Sequence, residues 1–133
     1  MRFTRIAGYL SEPDTSRQIA LYRAANLLGR KAEAAPHLRA LAERSPDRTK
    51  LWRRLALTLE ESGAAEDAVA AWRRLLQTDA GDLMAHDQLA ALLAGLGRKA
   101  EAAAHMREAA RLDADRPNRW RSLAQLLAEL GVR

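Results

Sequence analysis

The sequence predicts an all-α protein built as a solenoid of helix–turn–helix units. Three observations predict it. Across 133 residues the apolar share is 48%, yet only two Val (Val69, Val132) and two Ile (Ile6, Ile19) occur. So little β-branched material argues against a sizeable sheet, and the abundant Ala and Leu favour helices. The octapeptide LGRKAEAA begins at Leu28 and again, unchanged, at Leu96. Half of that offset puts Gly29, Gly63, Gly97 and Gly131 in one column, and Leu21, Leu55, Leu89 and Leu123 in another. A period of about 34 residues is the mark of a helical repeat whose units cannot bury their apolar stripes alone.

The elements follow from that period. Met1–Asp14 lies outside it. Phe3, Ile6, Tyr9 and Leu10 have helical spacing, so this leader is either a short capping helix or an arm. Residues 15–48 form the first unit, in which Pro36 falls inside the second helix and predicts a late start or a kink there. The second unit, 49–82, is the clearest. Trp52, Leu55, Ala56 and Leu59 share one face of its first helix, Ser62-Gly63 breaks the pattern, and Ala68, Trp72, Leu75 and Leu76 share one face of its second. Residues 83–116 repeat the arrangement. Residues 117–133 supply one more first-type helix, a half unit. On it Trp120, Leu123, Ala124 and Leu127 are expected to pack back on the third unit, leaving Leu126 and Leu130 as an open apolar edge. Such an edge implies either a piece of a longer repeat protein or a homo-oligomer joined through this helix, because a dedicated cap presents a polar outer face.

The residues that recur resemble the tetratricopeptide repeat (TPR). Trp52, Leu55, Ala56, Leu59, Gly63, Ala68, Trp72 and Leu75 stand at the places of its motif, followed in the third unit by His86, Leu89, Ala90, Leu93, Gly97, Ala102, Met106 and Ala109. The resemblance implies a right-handed α-solenoid and a protein–protein interaction scaffold. In that family the first helices line a concave groove holding a peptide or helix of a partner. Carried over by register, the groove comprises Arg23, Asn26, Lys50, Arg53, Arg54, Leu57, Met84, Asp87, Ala91, Arg121 and Gln125. Its arginines and lysine would suit an acidic segment. A secretion-type chaperone holding an extended partner segment is an alternative within the same class. The two-carboxylate clamp for chaperone tails is not expected, because Ile19, Arg23, Arg54, Met84 and Gln88 stand where its Lys, Asn and Arg residues would be.

Other classes fare less well. A net charge of +5 raises a nucleic-acid or polyanion binder, but acidic residues are interleaved throughout. Arg53-Arg54 and Arg73-Arg74 lack interleaved exposed aromatics for base stacking. Without cysteine there is no disulfide, Cys-ligated metal or thiol nucleophile. His37 and His105, equivalent by the offset of the two octapeptides, read as one repeated surface position, and His86 as a packed replacement for the motif aromatic. No His pair is spaced to hold a metal along a helix. No enzymatic activity, cofactor or metal is therefore expected. With no membrane span and too short an apolar run in Met1–Leu10 for a secretory signal, a cytoplasmic location is expected.

Overall fold

A computed structural model of the chain describes the backbone of residues 2–131 and the side chains of residues 15–131. It contains seven helices among the described residues: α1 (Arg2–Leu27), α2 (Lys31–Arg44), α3 (Thr49–Glu61), α4 (Ala65–Thr78), α5 (Leu83–Gly95), α6 (Lys99–Leu112) and α7 (Pro117–Glu129). The principal packing runs between helices adjacent in sequence, from α1 against α2 through to α6 against α7. That linear chain of contacts defines a solenoid. The leader is helical and continuous with α1, while Phe3, Ile6, Tyr9 and Leu10 have side chains outside the described residues.

Each turn inside a unit is closed in the same way. Gly29, Gly63 and Gly97 have φ of 72°, 82° and 82°, the left-handed conformation that glycine adopts without a Cβ penalty. Beyond them the amides of Arg30, Ala64 and Arg98 donate to the carbonyls of Ala25, Leu59 and Leu93 at 2.8–2.9 Å, completing Schellman motifs. The repeated glycine thus ends one helix and aims the next back along it.

The solenoid core alternates two kinds of contact, and exposure at the array ends separates them. Leu55, Leu89 and Leu123 are buried, but Leu21 of the same column is 41% exposed. Among the described residues no helix precedes α1, so this column faces the preceding unit. Conversely Trp52 is 4% and His86 6% exposed, but Trp120 of that column is 45% exposed. This column faces the unit's own second helix, which α7 lacks among the described residues.

Two expectations need correction. Pro36 does not delay α2, which starts at Lys31 as α6 starts at the equivalent Lys99. The proline is exposed, and so is Ala32, whose carbonyl loses its helical donor, so the interruption falls on the solvent face of α2. On α7 the open edge is turned. Leu126 is only 7% exposed and Leu130 packs half-buried against the core, whereas Trp120 and Ala124 are exposed. Leu126 occupies the register of the buried Thr58, on the side that meets the preceding unit. Helical periodicity finds both apolar stripes but not which neighbour each one meets.

Candidate functional site

Two hollows are lined mainly by residues of the first helices of the units. The first, about 440 Å³, is lined by Tyr22, Asn26, Lys31, Lys50, Arg53, Arg54, Leu57, Thr58 and Glu61. Residues at i, i+3, i+4 and i+7 share a helix face, which is why α3 delivers Lys50, Arg53, Arg54, Leu57 and Glu61 together. Tyr22 and Asn26, one turn apart on α1, supply the facing wall. Lys31 enters from the start of α2 and bridges the walls, donating to Asn26 Oδ1 and pairing with Glu61 at 3.1 Å.

The charges in this hollow are unevenly compensated. Arg53 pairs with Asp82, whose other carboxylate oxygen accepts from the amide of Ala85 at 2.9 Å and caps α5. Asp82 therefore ties the second unit to the third while holding Arg53 in place. The Nε of Arg53 is buried with no hydrogen-bond partner. Arg54 reaches the hydroxyl of Tyr22 at 3.4 Å. Neither Lys50 nor Arg54 has a carboxylate partner among the described residues. The hollow is thus a positively charged concavity with an aliphatic spot at Leu57.

The second hollow, about 320 Å³, lies where the third unit meets α7. It is lined by Asp87, Ala90, Ala91, Met106, Ala109, Arg116, Asn118, Arg119 and Ser122. Arg119 is pinned between Asp87 and Asp113, and the hydrogen bond to Asp87 is the main reason its pKa is raised. With its cations neutralised and its floor made of alanine, this end is nearly uncharged and smooth.

Of the groove residues expected from register, Asn26, Lys50, Arg53, Arg54 and Leu57 come together in the first hollow, and Asp87 and Ala91 in the second. Arg23, Met84, Arg121 and Gln125 are exposed and line neither. Lys31 was missed, although a signal existed. Lys31–Glu61 recurs as Lys99–Glu129 at 3.3 Å, so the lysine in LGRKAEAA reaches into the next first-type helix in both copies.

His86 is buried as expected, whereas His37 and His105 differ from expectation. His105 is half-buried, and its Nδ1 lies 3.1 Å from Nδ1 of His86. His86 Nε2 donates to the carbonyl of Ala80 at 2.8 Å, so its Nδ1 accepts from His105. In the first unit Gln18 and His37 make the equivalent contact at 2.8 Å. Burial, followed by the neighbouring His86 and Arg73, lowers the His105 pKa. The two pairs share one i, i+19 spacing, and that was the available clue. Among the described residues no three metal-ligating side chains cluster. Among the described residues no helix is long and apolar enough to cross a membrane.

Helix pairs packed in sequence at a regular period, with left-handed glycines at the turns, define a tetratricopeptide-type solenoid. Solved structures agree on this fold. A crystal structure of the MamA protein matches with a TM-score of 0.73 at 15% identity, over 89% of this chain and 64% of that one. MamA AMB-1 matches with a TM-score of 0.66 at 23% identity, over 75% of this chain and 55% of that one. The TPR2B domain of yeast Sti1, in a complex with pHsp70, matches with a TM-score of 0.63 at 16% identity, over 85% of this chain and 92% of that domain. The chain spans less than two thirds of those two MamA chains. It belongs to the bacterial transcriptional activator domain family, which matches residues 5–83. No curated protein matches it.

Proposed function

We propose that the chain is a protein-interaction module that holds an acidic segment of a partner protein in its concave groove. The uncompensated pair Lys50 and Arg54 beside Leu57 carries this reading. Carboxylates entering the hollow would meet two cations, Lys50 and Arg54, that have no carboxylate partner among the described residues. An aliphatic side chain of the segment would cover Leu57. The neutral, alanine-floored second hollow would accept a following apolar stretch. All lining residues of the first hollow lie within the family-matched segment, which supports a regulatory setting in which the module joins an activator to a partner. The complex of Sti1 TPR2B supports a protein as the ligand class, although the clamp residues for chaperone tails are absent here.

Fluorescence anisotropy with a labelled peptide alternating Glu or Asp with Leu tests the reading. Binding should weaken at least tenfold in Lys50→Glu/Arg54→Glu, which exchanges two attractions for two repulsions. Equal binding of a Lys-for-Glu peptide, or no loss in that variant, refutes it. Tighter binding of homopolymeric RNA than of the acidic peptide, falling steeply with salt, would favour a polyanion binder instead.

A further inference from the structure

The basic hollow between α1 and α3 arranges its donors in a way that specifies which anion it takes. Lys50 and Arg54 stand one turn apart on α3, so their heads leave the same helix face side by side. Tyr22 and Asn26 stand one turn apart on α1, and all four residues line the one hollow. We propose that the hollow binds a phosphorylated serine or threonine side chain of the partner segment. This rests on the groove reading above and names the anion within it.

The uncommitted hydrogen-bonding groups on these two walls are chiefly donors. Lys31 engages Asn26 Oδ1 and Glu61, and Arg53 pairs with Asp82, so those two cations already have anionic partners. Asn26 accepts through Oδ1, which leaves its amide N–H groups to donate. Tyr22 accepts from Arg54 at 3.4 Å, which leaves its own O–H to donate. Lys50 carries donors only, and Arg54 keeps most of its guanidinium N–H groups. The one carboxylate lining the hollow, Glu61, is held by Lys31. A compact guest built of acceptors complements such walls.

Charge separates a phosphate from a carboxylate. Lys50 and Arg54 bring two positive charges to neighbouring positions. A phosphorylated side chain carries about −1.5 to −2 at pH 7, on three acceptor oxygens. A glutamate or aspartate carries a single charge, and a second one brought to the same turn of helix would repel the first. One phosphoryl group therefore answers both cations from one side chain. Leu57, in the next turn of α3 and half-buried in the same hollow, gives an aliphatic neighbour of the phosphorylated residue its contact. Free phosphate and a nucleic-acid backbone have no aliphatic group to place there.

Three labelled peptides that differ at one position, Ser-Leu, phosphoserine-Leu and Glu-Leu, test this by fluorescence anisotropy. The phosphopeptide should bind at least tenfold more tightly than the glutamate peptide, and the unmodified peptide most weakly. Its affinity should fall as pH drops through about 6, where the phosphate takes its second proton, while that of the glutamate peptide holds. Lys50→Gln/Arg54→Gln changes two exposed residues and should abolish the preference for phosphate. Tyr22→Phe, which removes a neutral donor and leaves every charge, should weaken the phosphopeptide about fivefold. Equal affinity for the phosphoserine and glutamate peptides overturns the proposal and leaves the acidic-segment reading standing, whereas no binding of either overturns both. A preference for phosphate that survives Lys50→Gln/Arg54→Gln also overturns it. So does binding that is indifferent to Leu→Ser in the phosphopeptide and is matched by homopolymeric RNA, which would assign the hollow to a polyanion.

Discussion

Four leucines share one column of the repeat but not one environment, which makes them a graded test of the architecture. Leu89 is fully buried between the second and third units and Leu55 is 1% exposed, while Leu21 is 41% exposed. Truncating a fully buried leucine removes its transfer free energy and leaves a cavity, together costing about 2–5 kcal/mol. Close packing by short alanine-rich helices limits collapse around the gap, so Leu55→Ala and Leu89→Ala belong in the upper part of that range, about 3–4 kcal/mol. Leu21 loses roughly half as much area and leaves no closed cavity, so Leu21→Ala should cost about 1 kcal/mol. For a chain this size each kcal/mol corresponds to roughly 3–5 °C in Tm. Urea unfolding followed by circular dichroism, with thermal melts alongside, reads the series. Equal losses at Leu21 and Leu89, or a loss below about 1 kcal/mol at Leu89, would refute the assignment of this column to inter-unit contacts.

Further expectations concern the capping aspartate, the histidine pair and the turns. Asp82→Ala removes both the α5 cap and the partner of Arg53, and urea unfolding should show a loss of about 1–3 kcal/mol, while Asp82→Asn, which keeps a capping oxygen, should lose less. The pKa of His105 is held below its ordinary value of about 6.5, so the unfolded chain binds more protons in the window between the two. Stability should thus be full above about pH 6.5 and decline as pH falls through the lower folded value. In His86→Gln, which copies the Gln18–His37 pair, thermal melts across about pH 5–8 should show a shallower decline. Gly63→Ala and Gly97→Ala should each cost about 1–2 kcal/mol by equilibrium unfolding, nearly equally, since both have φ of 82° and open space around an added Cβ.

The helical class, the period and the turns were legible because they are local. Gly29, Gly63 and Gly97 announce left-handed turns, and the stripes of Trp52 and Trp72 announce buried faces, whatever lies opposite. What stayed hidden depends on the neighbour. Leu126 and Trp120 are both apolar residues on one short helix, and only the relation between units decides that the first is covered and the second open. The hollow at Lys50 and Arg54 was half legible, because register collects residues of α1 and α3 but not Lys31 from α2. The His86–His105 contact and the Arg53–Asp82 tie join positions on different helices, beyond the reach of helical spacing. The repeated Lys31–Glu61 and Lys99–Glu129 pairs show how such contacts can be found when a sequence carries the same unit twice.

The proposed function stands or falls on whether a partner binds in the basic hollow between α1 and α3. Titrating the acidic peptide into ¹⁵N-labelled protein, with amide and side-chain shifts followed by NMR, tests this most directly. The largest shifts should fall at Asn26, Lys50, Arg53, Arg54 and Leu57, with smaller ones towards Asp87 and Ala91 and none at Trp120 or Ala124. Shifts centred on the Arg39, Trp52 and Arg74 side of the solenoid, or spread evenly over all its arginines, would contradict it.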